Sequence, residues 1–290
     1  MSEFENVITN TLSIGAIYAL IGVGFVVMYR ATRVVSFAQG GFMVVGAFLF
    51  RAMVELGLGL YLSTVVAAAL LFVGGAVVFR ITFARILGEE PFVVAIATIG
   101  LGTFIVAVSE LIWGPNPIVV RGVIGTKPVS VLGLSLTPVS LYAIAMTAII
   151  FAVLIVGLRR TSVGLKMRAV ADVPSLAALK GVDVSGISML AWAIAAGTAA
   201  IAGVAYILST QAHPSGINSL GLLAFPAILL GGFDSIVGAL VGALLVAFVQ
   251  NLAIFYVGSQ YQDVIAYAVL LLVLFVRPQG LFGQADLERL

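Results

Sequence analysis

The sequence lacks cysteine and has only one histidine, His213. The absence of thiols excludes disulfides and cysteine-based metal sites, and a single histidine offers little for a metal centre or for acid–base catalysis. A phosphate-binding loop of the G-x-x-x-x-G-K-[ST] type is also missing. We therefore expect no catalytic residue, no metal and no cofactor, so any nucleotide hydrolysis must occur on another polypeptide.

Charge is scarce as well. Only 9% of the 290 residues are charged, while 62% are hydrophobic, and the mean hydropathy is +1.23. These values are typical of polytopic membrane proteins and not of soluble ones. The net charge of +2 and the scattered basic residues give no reason to expect nucleic-acid binding. The acidic start, with Glu3 and Glu5, argues against a cleavable signal peptide, so the first helix is expected to stay in the membrane.

One stretch is free of charge over a length that no soluble core helix reaches. Residues 184–233 contain no Asp, Glu, Lys or Arg, whereas residues 161–183 contain Lys166, Arg168, Asp172, Lys180 and Asp183. About 20 apolar residues already span a bilayer. The charged segment is therefore expected to be a loop between membrane spans.

Charges and turn residues divide the chain into membrane segments. The predicted fold is an all-α, polytopic transmembrane bundle that forms a single domain over residues 1–290, with 8–9 segments. The predicted spans are residues 7–29, 34–54, 61–79, 92–113, 139–158, 187–209, 220–230, 236–257 and 264–276. The segment 220–230 is short for a full crossing at 1.5 Å per residue, so the stretch near 220–232 is either a short span or a re-entrant helix.

The distribution of Lys and Arg predicts the orientation, because basic residues are enriched in cytoplasmic loops. Nine crossings with the amino terminus outside and the carboxyl terminus inside put eleven basic residues in the cytoplasm and three outside. The eleven are Arg30, Arg33, Arg80, Arg85, Arg159, Arg160, Lys166, Arg168, Lys180, Arg277 and Arg289, and the three are Arg51, Arg121 and Lys127.

Two segments carry patterns that point to function. Residues 35–41 open the second span with Ser36 and Gln39 three positions apart, on one helical face, beside the pair Gly40 and Gly41. Broken helices beside polar side chains are typical of substrate paths in transporters. An ordinary helix cap with two packing glycines explains the same pattern.

The loop 159–186 is the second such segment. Pro174 fits a first helical turn with Asp172 or Val173 as the cap, and Gly181 fits the end of that helix. Leu176, Leu179 and Val182 then form a short apolar face. Such a helix is suited to a groove in a soluble partner, or else lies at the lipid surface. Further along, Asp234 and Ser235 are expected to cap the helix that follows them.

Several stretches resemble the LivH-type permease subunits of branched-chain amino acid ABC importers, in order and over nearly the whole chain. They are residues 15–20 (GAIYAL), 36–40 (SFAQG), 167–171 (MRAVA), 177–182 (AALKGV), 221–232 (GLLAFPAILLGG) and 277–283 (RPQGLFG).

This resemblance implies a permease in the bacterial cytoplasmic (inner) membrane, embedded in lipid, with four kinds of partner. These are a second, LivM-like permease subunit, two cytoplasmic ATP-binding subunits and an extracytoplasmic substrate-binding protein. It assigns Ala177, Ala178, Leu179, Lys180 and Gly181 to the loop that contacts the ATPase. It also places Ser36, Phe37, Gln39 and Gly40 beside the translocation pathway.

Two residues depart from the family's pattern: Ser36 stands where Asn is usual, and Gln39 where His is usual. Both lie by the expected pathway, so branched-chain amino acids, urea, amides and small organic acids all remain open as substrates. An ion-coupled secondary transporter or a channel is the alternative from another class. It is disfavoured because coupling usually needs acidic groups near the membrane midplane, and none is clearly placed there.

Overall fold

Twelve α-helices make up nearly all the regular structure of the computed structural model, which describes residues 3–86, 89–125, 127–131 and 134–283. Arg289, one of the basic residues used for the orientation, lies outside the described residues. The helices are α1 Glu3–Thr32, α2 Gln39–Glu55, α3 Leu60–Ile81, α4 Pro91–Trp113, α5 Pro138–Arg160, α6 Ser162–Asp172, α7 Pro174–Leu179, α8 Val184–Thr210, α9 Pro214–Leu223, α10 Phe225–Gly231, α11 Ile236–Tyr256 and α12 Gln262–Val276.

The predicted helical membrane bundle is confirmed. Eight helical stretches among the described residues are long and apolar enough to cross a membrane. α2 is not one of them, because it has 17 residues and spans only about 25 Å. The segment predicted at 220–230 is longer than expected: α9 and α10 together run over Pro214–Gly231, with an interruption at Ala224, and this length suffices for a crossing.

α1 and α8 form the centre of the bundle. Most of their residues are buried, and the two helices pack against each other. α8 is slim because it is rich in Ala and Gly, so α2 approaches it closely. A Cβ added at Gly46 of α2 would meet the backbone of Ala200, and one added at Gly203 would meet the carbonyl of Met43. Small residues permit such contacts where lipid gives helices no hydrophobic reason to associate.

The same packing pattern occurs twice along the chain. α1 packs on α11 while α8 packs on α3, and α2 packs on α3 while α10 packs on α11. α1 and α8 are each followed by a residue with positive φ, Arg33 at 54° and Gln211 at 50°, the two non-glycine cases among the described residues. This duplication is typical of transporters built from two repeats of opposite topology.

The outer helices expose large apolar side chains. Phe104 and Leu111 on α4 and Phe275 on α12 are 66%, 85% and 86% exposed. Exposed apolar residues at this density are costly in water but suit a lipid environment. The periphery of the bundle therefore fits a membrane protein.

Two local features were not predicted. A short antiparallel hairpin, β1 Val129–Val131 with β2 Leu134–Leu136, lies in the proline-rich loop before α5. The loop 159–186 contains a second helix, α6, ahead of α7. Each strand has only three residues, two apolar ones around a serine, which is too few for the alternation to be recognised from sequence.

Candidate functional site

A partly buried, non-helical segment separates α1 from α2. Residues 34–38 are not helical, and the side chain of Ser36 is 1% exposed. The backbone N–H of Phe37 donates a hydrogen bond to Thr98 Oγ1 (3.0 Å) on α4. Ser36 therefore lies in the break and not on a helical face with Gln39, so that part of the prediction was wrong. The reason is the turn at Arg33, which ends α1 so that α2 begins only at Gln39.

Gln39, the first residue of α2, points its amide into the centre of the bundle. Its Nε2 lies 3.5 Å from the carbonyl oxygen of Ile21, and its buried Oε1 has no hydrogen-bond partner among the described residues. The amide occupies the space beside Gly24, where a Cβ would collide with it and would lie 2.9 Å from Thr198 Oγ1. The glycine in α1 thus makes room for a polar group at the core.

Gly40 lies where α2 crosses α9. A Cβ added at Gly40 would be 2.5 Å from the carbonyl oxygen of Asn218, and one added at Gly221 would be 2.6 Å from Cα of Gly40. The two backbones are therefore in direct contact beside the break before α2 and one turn from the interruption at Ala224. This close approach brings the two irregular segments of the fold together.

Phe37 belongs to an aromatic group that lines the same region. Its ring centroid is 5.3 Å from that of Phe225, the first residue of α10, and Phe25 and Phe233 lie 6.3 Å and 5.7 Å from Phe225. The four predicted pathway residues are therefore adjacent to one another and to α9 and α10. The four rings therefore pack together beside the break before α2.

Two cavities lie towards opposite ends of α1 and α8. The large cavity, about 930 Å³, is bordered by Asn10 and Ser13 in the first half of α1 and by Thr210 at the end of α8. The small cavity, about 260 Å³, is bordered by Thr32 at the end of α1 and by Ser188 near the start of α8. α1 and α8 are therefore antiparallel, and each supplies opposite ends to the two cavities.

Aromatic side chains fill the space around the small cavity. Trp192 of α8 is 2% exposed, and its ring centroid lies 4.2 Å from that of Phe83, in the 3-10 turn after α3, and 6.1 Å from that of Phe79. These rings border the small cavity, whose volume of about 260 Å³ compares with about 930 Å³ for the large one.

The predicted helix in the loop 159–186 is α7, which starts at Pro174 and is followed by Gly181 with φ +80°. These two expectations are confirmed, but Val173 occupies the cap position without a side-chain hydrogen bond and Asp172 ends α6. Ala177 is buried, while Leu176 and Leu179 are 57% and 82% exposed. α7 therefore presents two leucines on a surface next to Lys180, which is also exposed.

The structure corrects the expected role of Asp234. Ser235 alone caps α11, accepting a hydrogen bond from the N–H of Gly238 (2.9 Å). Asp234 instead pairs with Arg33, whose Nη1 lies 3.3 Å from Asp234 Oδ1. Sequence reasoning missed this pair because the two residues are 201 positions apart.

A buried polar chain was also missed. Tyr18 donates its hydroxyl proton to Gln250 Oε1 (2.9 Å), and Gln250 Nε2 donates to Asp263 Oδ1 (3.1 Å). The chain joins α1, α11 and α12 beside the large cavity. The available signal was Gln250, a polar residue inside the uncharged helix α11, together with Asp263 at the start of α12.

The comparisons with known proteins agree with this architecture. The family model described as "Branched-chain amino acid transport system / permease component" matches residues 7–274. The chain is 26% identical over 297 residues to the high-affinity branched-chain amino acid transport system permease protein LivH of Escherichia coli K12, covering 97% of this chain and 96% of the relative.

Two further relatives come from more distant sources. BraD of Pseudomonas aeruginosa, a permease protein of the same description, is 27% identical over 97% of this chain and 96% of its own length. A probable LivH of Methanocaldococcus jannaschii is 26% identical over 91% of this chain and 88% of its own length. No solved structure matches the chain significantly. With the family model covering nearly every span, the chain belongs to the family of permease components of branched-chain amino acid transport systems.

Proposed function

We propose that this chain is the permease subunit of an ATP-driven ABC importer that moves branched-chain amino acids, or related small amphipathic solutes, into the cytoplasm. The chain makes and breaks no bonds itself. ATP is hydrolysed on two cytoplasmic partner subunits, a second, LivM-like permease completes the membrane part, and an extracytoplasmic binding protein delivers the substrate.

The exposed leucines of α7 are the observation that carries this proposal. Leu179 is 82% exposed on a six-residue helix that lies between two spans, outside the apolar bundle. A short helix with an apolar face and adjacent basic residues is suited to a groove of a soluble partner. Ala177, Ala178, Leu179, Lys180 and Gly181 would form the contact through which ATP binding moves the permease.

The substrate path would run between the two cavities, past the break before α2. Ser36, Phe37, Gln39 and Gly40 lie there, and irregular backbone is tolerated in a membrane only beside protein or water. Passage along this path would require the packed rings around Phe225 to rearrange, as alternating access demands. Substrate identity enters from the relatives' descriptions, so a permease for urea, amides or small organic acids stays an alternative.

The bacterial cytoplasmic membrane is the proposed location, with the amino terminus outside and the carboxyl terminus inside. This orientation counts α2 as a ninth crossing, since Thr32 at the end of α1 and Phe79 near the end of α3 border the same small cavity, so α2 must return across the bundle between them. In this orientation α6 and α7, with Lys166, Arg168 and Lys180, lie in the cytoplasm as the positive-inside rule favours. The large cavity then faces outward, towards the binding protein, and the small cavity faces the ATPase subunits.

Reconstituted proteoliposomes test the proposal. The complex with its ATPase subunits and binding protein should take up labelled leucine only when ATP is supplied on the α7 side. Leu179→Asp should abolish this uptake and the co-purification of the ATPase subunits, because the aspartate would place a charge in the apolar contact.

Leu56→Asp is the matched control, since Leu56 is 74% exposed at the end of α2, away from α7. It should retain uptake and co-purification. Uptake by the permease in vesicles driven by an ion gradient alone, without ATPase subunits, would instead establish the secondary-transporter alternative.

A further inference from the structure

One acidic and one basic side chain are among the described residues that line the large cavity. Its described lining residues include a single carboxylate, Asp263 at the start of α12, and a single cationic group, Arg121 in the segment before β1. The remaining lining is polar and uncharged or apolar. A charge at the edge of a membrane span is a candidate for function, because it is costly to place there.

Asp263 is held in place from behind. Its Oδ1 accepts a hydrogen bond from Gln250 Nε2, and Gln250 in turn accepts one from the hydroxyl of Tyr18. Gln250 is 6% exposed and Tyr18 is 4% exposed, so this support comes from the interior of the bundle. One carboxylate oxygen is thereby fixed against α11, while the residue borders the cavity. Such support positions a charged group without neutralising it.

The cavity also has an apolar wall. Ile14 and Ile17 of α1 face it from one side, and Leu220 and Leu223 of α9 lie at the end nearest the crossing with α2. A volume of about 930 Å³ falls within the range of small-molecule sites, roughly 300–1,000 Å³. The site thus combines an anion, a cation and an aliphatic surface around one space.

We propose that the large cavity binds a zwitterionic α-amino acid on its way into the permease. Asp263 takes the α-ammonium group, Arg121 takes the α-carboxylate, and the wall formed by Ile14, Ile17, Leu220 and Leu223 takes an aliphatic side chain. The inference rests on the proposed function and adds a selective site in the permease itself, separate from the receptor. It predicts discrimination against molecules of the same shape that lack either charge.

The absence of cysteine allows a direct test on the assembled complex without its binding protein. Leu223→Cys places one thiol in the cavity, and labelling by a polymer-linked maleimide is read as a mass shift of this chain. L-leucine at about ten times its Kd should slow labelling roughly tenfold, because protection follows occupancy. Leucinamide, which lacks the carboxylate, and 4-methylpentanoate, which lacks the ammonium, should protect much less.

Variants that remove one charge test whether protection by leucine depends on Asp263 and Arg121. Asp263→Asn keeps an oxygen for Gln250 Nε2 but removes the charge, and Arg121→Gln removes the guanidinium. Each should raise the leucine concentration needed for half-maximal protection about tenfold to a hundredfold, the loss of one charge-assisted hydrogen bond, while Asp263→Glu and Arg121→Lys should raise it much less. Leu56→Cys, outside the cavity, should be labelled at the same rate with or without leucine.

Equal protection by leucine and both analogues, or none by leucine, would overturn the proposal. ATP-driven uptake, measured with the binding protein present, distinguishes a failure of the proposed cavity site from a failure of the proposed importer function. Unimpaired leucine uptake by Asp263→Asn and Arg121→Gln would contradict the proposed cavity site but not the proposed importer function. Failure of the unaltered complex to take up any amino acid would contradict the proposed function itself.

Discussion

Arg33 and Asp234 form an ion pair between the residue that follows α1 and the turn that joins α10 to α11, with Nη1 3.3 Å from Oδ1. Arg33 also donates from Nε to the carbonyl of Ala171 (3.0 Å), and its Nη2 lies 3.8 Å from Asp172 at the end of α6. One side chain therefore connects the segment ahead of α7 with the broken helix α10. In the proposed importer this is a physical route from the ATPase contact to the substrate path.

Asp234→Asn should uncouple the ATPase contact at α7 from the substrate path. The substitution preserves shape and removes the charge that holds Arg33 against the α10–α11 turn, so movement of α6 and α7 would be transmitted less completely. We expect uptake per ATP hydrolysed to fall several-fold, with a stability loss of no more than about 1 kcal/mol, since both side chains are about one-third exposed. Parallel assays of uptake and ATP hydrolysis in proteoliposomes measure the ratio.

Glu55→Gln is the control for that substitution. It breaks the exposed pair of Arg51 and Glu55 within α2 (2.7 Å), which connects no separate segments. The uptake ratio should stay at the unaltered value. An equal fall in both variants would mean that general charge loss, and not the connection through Arg33, is responsible.

Gly24→Ala tests the space that Gln39 occupies. A methyl group at Gly24 would collide with the Gln39 amide and approach Thr198 Oγ1 to 2.9 Å, so the buried Gln39 side chain would have to leave its present position. Overpacking of this kind costs about 1–3 kcal/mol, and thermal unfolding in detergent should report it together with reduced uptake.

Gly100→Ala is the matched control, because a Cβ at Gly100 of α4 meets nothing within 4 Å. There the better helix propensity of Ala should leave stability unchanged or raise it by up to about 1 kcal/mol. Equal stability of the two variants would contradict the tight packing at Gly24.

The sequence was sufficient for the membrane class and for most helix positions. Long apolar runs bounded by Arg and Pro locate spans such as α5, where Pro138 begins the helix and Arg160 ends it. Gly181 gave the end of α7, because a positive φ of 80° strongly favours glycine. These features depend on residues that are close together in the chain, so they can be predicted from a single sequence.

The site was only partly accessible from sequence. The pattern at Ser36 and Gln39 pointed to an irregular segment but assumed a helix through the break, because no rule predicts a left-handed conformation at an arginine. Arg33 with Asp234, and Tyr18 with Gln250 and Asp263, depend on helices that are distant in the chain. Their pairing follows from tertiary packing, which local periodicity does not encode.

Gln39→Met separates stability from transport. The buried Oε1 of Gln39 has no partner among the described residues, and such an acceptor costs about 1–3 kcal/mol. Methionine has a similar size and no polar amide, so the variant should unfold at the same temperature or higher. If the amide serves substrate passage, as proposed, uptake should fall about tenfold, equivalent to about 1.4 kcal/mol in the rate-limiting barrier.

Thr198→Val is a useful comparison for Gln39→Met, since Thr198 Oγ1 is already satisfied by the carbonyl of Ala195 at 3.0 Å. It should lower stability slightly and leave more uptake than Gln39→Met. Full uptake by Gln39→Met would assign the glutamine to packing alone and remove it from the pathway.

The orientation of the chain can be measured with two single cysteines in the cysteine-free sequence. Ser175→Cys lies on exposed α7, and Thr210→Cys lies at the exposed end of α8, beside the large cavity. The excess of basic residues on the α7 side predicts that a membrane-impermeant maleimide labels Thr210→Cys in intact cells and Ser175→Cys only after lysis. The reverse pattern would turn the large cavity towards the cytoplasm, and α7 could then no longer meet a cytoplasmic ATPase.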